Sequence, residues 1–338
     1  MRFAHRSGPR LAVALLAASA GCAVAPTSQF RPSPPARRSA DVDARYVRPG
    51  PVPVAKLSLS EVARGVEVWD VSLPSKAPSG APPEAAAPIG MRWWKPLASD
   101  AGPVRRPAVV LSPILGSRSA FVEQFAQRFA AEGWHAVIVF HPEVRYDSAR
   151  PFEQVEERLA DSVSRRIEVL DWLLARDDVD PARVASFGIS AGGIEASLIA
   201  GVDRRYAAHV IGLAGGPLCD VFVASDEEQI RNVSKTASVA IGATNDELRE
   251  RLRATIATDP ILLAPRVPTD SVLLILARHD HAVPTRTGTA LREALGRPRT
   301  IWLPLGHYAS VLFLPFVKPR VVDFIRDRFD AARNGASR

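Results

Sequence analysis

From residue 107 onward, short apolar runs alternate with stretches of helical periodicity, and that alternation constrains the fold more than any other feature. Pro107-Ala-Val-Val-Leu-Ser-Pro113 is unbroken and apolar, as a strand buried on both faces has to be. The runs 135–142, 183–188, 207–216, 271–277 and 299–305 repeat that signature. Helical stretches at 121–131, 152–176, 191–201, 286–295 and 311–332 lie between or after them. Two more strands, 65–73 and 89–97, precede the series and flank a Pro/Ala loop at 77–88. Strands separated by helices pair in parallel, and right-handed crossovers place the helices on both faces of the sheet. The expectation is one α/β domain over residues 54–338 with a mostly parallel eight-stranded sheet.

One interval breaks the rhythm. Residues 217–265 contain two helix starts with capping-box spacing, Ser225…Glu228 and Thr244…Glu247. The interval leaves the carboxyl end of the sixth strand, the edge where sheets of this kind bind ligands. It is expected to be a helical cap-like insertion over the site, or else an excursion on the rim. Val221, Phe222 and Val223 are candidates to line an acyl pocket there, or to be core of the insertion.

The N-terminus reads as an export signal. Arg2, Arg6 and Arg10 precede the apolar run Leu11–Ala18, which is too short to span a bilayer as a mature helix. Ala20-Gly21-Cys22 resembles the end of a bacterial lipobox, which implies cleavage before Cys22 and lipid on its thiol. Ser19 departs from that pattern, where Leu is preferred, and plain cleavage after Ala20 also fits. Residues 1–21 are read as the signal peptide and the Pro-rich residues 22–53 as an extended tether. The body then stands in the cell envelope, lipid-anchored with the outer membrane preferred, or is periplasmic or secreted. The net charge of the chain is +7, and residues 1–48 carry +6 of it, with eight Arg against two Asp. The body is close to neutral and offers no footprint for nucleic acid. If Cys22 is lipidated, Cys219 has no partner for an intramolecular disulfide.

Gly188-Ile-Ser-Ala-Gly192 stands between an expected strand and an expected helix. A turn that tight forces Ser190 into strained backbone geometry and leaves no room for side chains at 188 and 192. Gly193 and Ala196 let the following helix approach the sheet. A serine at neutral pH needs a base to become a nucleophile. Of the seven histidines, His135 and His209 open strands at the far end of the sheet, and His141 borders the near end. His307 follows the last strand behind Gly306, from where an imidazole reaches back over the sheet. Asp280, directly after the strand 271–277, is placed to orient that imidazole.

The strand-borne GISAG, Asp280 in RHDHAVP and His307 in LGHY, in the order Ser, Asp, His, resemble the α/β-hydrolase superfamily over roughly residues 60–335. The resemblance is to its esterase, lipase and dienelactone-hydrolase side. It implies the α/β-hydrolase fold and a Ser190–His307–Asp280 triad. It also implies an oxyanion hole made by the backbone N–H of Ala191 and one from the loop after 107–113. Many members have His-Gly there, whereas this chain has Ser112-Pro113. Proline has no N–H, so Ile114 or Leu115 has to donate, and Ile114 is the residue that maps onto the motif. No metal or organic cofactor is implied. The expected function is hydrolysis of a small-molecule or lipid carboxylic ester by an exported serine hydrolase. Acyl transfer or amide hydrolysis with the same triad, and a non-catalytic envelope lipoprotein using the fold as a scaffold, are the alternatives.

Overall fold

A computed structural model describes residues 24–25, 44–76, 87–97, 104–115, 120–142, 150 and 152–336. The signal segment, Cys22 and most of the tether lie outside the described residues.

Nine strands of five residues or more form a single sheet: β1 Lys56–Ala63, β2 Val66–Leu73, β3 Ile89–Pro96, β4 Arg106–Ser112, β5 His135–Val139, β6 Val179–Ile189, β7 Ala208–Gly212, β8 Val272–Ala277 and β9 Arg299–Leu303. Their order across the sheet is β9-β8-β7-β6-β4-β5-β3-β2-β1, and the two-residue strand Val24–Ala25 pairs antiparallel with β9 as a tenth. β4 to β9 run parallel, while β3, β2 and β1 continue from β5 in antiparallel fashion.

The expected eight strands are all present, and β1 is the addition. Seven of its eight residues are exposed and a bulge interrupts its pairing, so it has no buried face to produce a readable pattern. Residues 44–48, placed in the tether by composition, pack on the body. Tyr46 is buried with its hydroxyl 3.0 Å from Thr258 Oγ1, and Arg48 pairs with Asp161 and Glu168.

The helices cover both faces. Alternate residues of β4 point opposite ways. Val109 and Leu111 join a core with α1 (Ala120–Ala131) and α8 (Leu314–Ala336). Ala108 and Val110 join a core with α2 (Glu153–Leu174) and α3 (Ala191–Val202). On that second face Leu291 of α7 (Thr285–Ala294) packs against Val272, Leu274 and Leu276. The insertion is helical: α4 Leu218–Ala224, α5 Glu228–Ile241, α6 Asn245–Thr255 and a helical turn Pro260–Leu263. It has its own small core, which includes Leu218, Val221, Leu248, Leu252 and Val283. The capping box at Thr244 and Glu247 is formed. The one read at Ser225 is not, because Ser225 Oγ donates to the Ala282 carbonyl and accepts from the Glu227 amide instead. No described helix is long and apolar enough to cross a membrane.

His135 and His209 sit at the amino ends of β5 and β7, as expected, and both are buried. Trp93 Nε1–H donates to His135 Nδ1, which leaves Nε2–H to donate to the Asp178 carbonyl, so this imidazole is held neutral. Desolvation lowers the pKa of His135 and pushes that of His209 down to about 4. In the unfolded chain both titrate near the ordinary ~6.5. Between those values the unfolded state binds more protons, so this stability is complete above pH ~6.5 and is lost as the pH falls toward 4. For His209 the loss approaches about 3 kcal/mol. Urea midpoints measured from pH 7 to 4.5 are expected to fall, and to fall less in His209→Gln. A flat profile would contradict the argument.

Candidate active site

Ser190 occupies the one-residue turn between β6 and α3 with φ 62° and ψ −125°, a region that residues with a Cβ rarely adopt. Its amide donates to the Gly212 carbonyl at 2.9 Å, and its own carbonyl accepts from the Ile194 amide at 3.0 Å. The neighbouring glycines are required by contact. A Cβ on Gly188 would lie 1.9 Å from the Gly192 carbonyl oxygen. One on Gly192 would lie 2.3 Å from the Ser112 oxygen and 2.7 Å from the Pro113 oxygen. One on Gly193 would lie 2.2 Å from the Gly212 oxygen, so α3 rests directly on the ends of β4 and β7.

Asp280 and His307 arrive from two adjacent strand ends. Asp280 follows β8 in a turn tied by Thr285, whose Oγ1 donates to the Ala277 carbonyl at 3.0 Å and accepts from the Asp280 amide at 3.0 Å. The loop carrying His307 passes so close that a Cβ on Gly306 would lie 2.9 Å from the His279 oxygen. His307 Nε2 stands 2.9 Å from Ser190 Oγ, and His307 Nδ1 stands 2.8 Å from Asp280 Oδ2. The other Asp280 oxygen accepts the Val283 amide at 2.9 Å, so both oxygens of this buried carboxylate are engaged. With Nδ1–H donating to Asp280, Nε2 is left as the acceptor facing the serine. The flanking His279 and His281 are exposed.

Two cavities meet at Ser190. One of about 740 Å³ is bounded by Ala191, His141, Val221, Phe222 and Val283, so the insertion forms a wall of it. The other, of about 320 Å³, is bounded by Ile114, His307 and Tyr308. Of the three candidates for an acyl pocket, Val221 and Phe222 face the larger cavity, while Val223 packs against the core of the insertion. Ala191 begins α3 and Ile114 follows Pro113, so the two residues expected to form the oxyanion hole flank the serine from opposite cavities.

The sequence reading missed a buried charge network beneath the serine. Arg166 of α2 donates from Nε to Ser112 Oγ at 2.6 Å and from Nη1 to the Ser162 carbonyl at 2.9 Å, and it pairs with Glu195 of α3. His141 Nδ1 lies 3.4 Å from the other Glu195 oxygen. Burial, the largest single influence, works to raise the Glu195 pKa, but Arg166, His141 and Ser112 together outweigh it and hold the carboxyl below its usual range. The network joins the helix that follows Ser190 to the last residue of β4, directly before Pro113 and Ile114. The signal was available. Glu195 is the one charged residue in Ala-Gly-Gly-Ile-Glu-Ala-Ser-Leu-Ile-Ala-Gly-Val, and such a helix is buried all round.

Removing one member strands a charge in the interior, at a cost of about 3–5 kcal/mol. Glu195→Met and Arg166→Met should each lose that much in urea denaturation. The double variant should lose less than either single one, because neither charge is then stranded. Additive losses would refute the pairing as an energetic unit.

A model of the prolyl oligopeptidase family (Peptidase_S9) matches residues 137–301, just under half of the chain. The match contains Ser190 and Asp280 and stops before His307. Among curated proteins, the uncharacterized protein YdjC of Bacillus subtilis (strain 168) is 35% identical over 71 residues, which is 21% of this chain and 61% of that protein. Among solved structures, the acetyl xylan esterase from Paenibacillus sp. R4 superposes with a TM-score of 0.65 at 19% identity, covering 87% of this chain and 96% of that one. Acetyl xylan esterase 1 from a Thermoanaerobacterium species gives 0.60 at 17% identity, with coverages of 83% and 93%. A cold-adapted esterase from an Arctic intertidal metagenomic library gives 0.53 at 16% identity, with coverages of 80% and 99%. At these identities the likeness is one of fold, and that fold is the α/β-hydrolase fold.

Proposed function

We propose that this chain of α/β-hydrolase fold is a serine hydrolase that cleaves carboxylic esters through an acyl-enzyme on Ser190. The observation that carries the reading is the unbroken hydrogen-bonded line from Ser190 Oγ through His307 to Asp280. His307 Nε2 takes the hydroxyl proton as Oγ attacks the acyl carbon. Asp280 holds the ring in the tautomer that permits this and stabilises the imidazolium. The amides of Ala191 and Ile114 receive the developing oxyanion, and the N-terminus of α3 adds its favourable dipole. His307 then protonates the leaving alcohol. Water repeats the sequence and releases the acid.

The acetyl xylan esterases and the cold-adapted esterase among the structural neighbours support an ester as the substrate. The prolyl oligopeptidase match favours a second reading, in which the same triad cleaves an amide. The two differ only in the leaving group. A paired panel of p-nitrophenyl esters and p-nitroanilides separates them by which series is turned over.

A fluorophosphonate probe should form a single adduct, mapped to Ser190 by peptide mass spectrometry and absent from Ser190→Ala. Ser190→Ala and His307→Ala should each lose on the order of 10⁴-fold or more in kcat, and Asp280→Asn on the order of 10⁴-fold. A folded protein that takes no adduct would sink the mechanism and favour the scaffold alternative.

The proposal extends to location. The basic and apolar N-terminal segment supports export, and Ala20-Gly21-Cys22 supports lipid anchorage to the cell envelope at Cys22. In a bacterial host the full-length protein should fractionate with membranes and Cys22→Ala should not. Equal distribution of the two would remove the anchor from the proposal.

A further inference from the structure

The two cavities that meet at Ser190 differ in chemistry. The larger has charged groups in its walls, among them Arg150, Arg165, Arg166, Glu157, Asp161 and Glu195. The smaller is walled by Ile114, Phe121, Leu213, Ile275, Leu303 and Val317. Ile275, Leu303 and Val317 belong to the hydrophobic core between the sheet and α8. This cavity therefore starts at the serine and runs into the interior of the protein. Its mouth continues the apolar character, with Leu115 38%, Val311 47% and Tyr308 66% exposed.

Polar groups are few in it. Besides Ser190 and His307, its side-chain polar groups among the described residues belong to Tyr308, Ser310, Glu227 and Gln229. Ser310 Oγ already donates to the Gly306 carbonyl at 2.7 Å, and Tyr308 stands at the exposed mouth. Glu227 and Gln229 border both cavities, at their junction. Among the described residues, no other polar side chain lines it. One of the deep walls is also strained: Leu213 has φ 48°, with its amide donating to the Ile275 carbonyl at 2.7 Å. A branched apolar residue held in the left-handed region beside the nucleophile marks a wall that the surrounding structure enforces.

We propose that the smaller cavity binds an unbranched alkyl chain joined to the scissile ester, so that the substrates are medium-chain alkyl esters. This rests on the serine-hydrolase reading above. A volume of about 320 Å³ is that of roughly ten water molecules in the liquid, and a methylene is about as large as one, so a chain of roughly six to ten carbons fills it. Each methylene moved from water into such a lining raises binding about fourfold. The chain reaches the cavity from either side of the ester, as acyl group or as alcohol, because both the oxyanion residue Ile114 and the general acid His307 border it.

The test uses the whole chain and two ester series, p-nitrophenyl acetate to decanoate and the acetates of ethanol to decanol. Fluorophosphonate labelling counts active sites in every preparation. The expected result is a kcat/KM that rises about fourfold per methylene in one series and levels off at roughly eight carbons. Leu314→Trp, which narrows the cavity from the start of α8, should lower the eight-carbon to two-carbon ratio at least tenfold. Val311→Trp does the same from the exposed mouth, where folding is not at stake. A rise in the acyl series places the chain on the acid, and a rise in the alcohol series places it on the alcohol. Either supports the proposal. Flat series, or slopes untouched by both variants, with Ser190 still labelled, overturn the alkyl pocket and leave the hydrolase reading standing. A folded wild-type protein that takes no label overturns both.

Discussion

The contact on which the site depends is the entry of α3 into the sheet. Its first turn lies against backbone oxygens of β4 and β7, so close that a Cβ on Gly192 or Gly193 would lie 2.3 or 2.2 Å from them, while one on Gly188 would lie 1.9 Å from the helix's own Gly192 oxygen. No side chain mediates that approach, so no side-chain motion can relieve it. The closeness holds Ser190 at positive φ and sets the loop after β4 beside the serine. It also sets the helix N-terminus at Ser190, where the proposed acyl transfer would develop charge. Glycine at 188, 192 and 193 is thus one steric requirement met three times.

A helix this deeply set meets apolar surface on nearly every side, yet it carries Glu195. A lone buried carboxylate would be protonated or would unfold its surroundings. Arg166 resolves this from a different helix and at the same time holds Ser112. The ion pair is weak evidence for stability, since apolar residues of like volume serve as well in many proteins. Its geometry points to register. It connects three elements, β4, α2 and α3, whose relative placement fixes the distance between Ser190 and the loop holding Ile114.

Much of this was legible in the chain. The central strands are apolar runs of strand length, and the triad residues each follow one of them, so position along the sheet separated His307 from His135 and His209. The unread parts have physical reasons. β1 has no buried face, and Tyr46 docks as an isolated aromatic in a Pro-rich stretch, so neither has a period to detect. Ser225 matched a capping box, yet the Ala282 carbonyl competes for its hydroxyl, and that carbonyl comes from a loop 57 residues away. The Arg166–Glu195 pair spans 29 residues and two helices. The anomaly of Glu195 was visible, but its partner was not, because α2 offers Arg165 and Arg166 side by side and only the folded geometry chooses.

Chemistry and specificity are unequally readable in a chain of this kind. The triad is a property of strand ends, and strand ends are local. The cavities are properties of what converges on those ends. The insertion, the start of α2 and the 141 region enclose one, and the start of α8, α1 and the turn after His307 enclose the other. The walls of the smaller cavity come from segments near residues 114, 121, 213, 275, 303 and 317, and each wall residue is an ordinary core hydrophobe in its own segment. What makes them a pocket is the space left between the sheet and α8. A one-dimensional pattern contains no record of such a gap, because a filled core and a hollow one are written with the same residues.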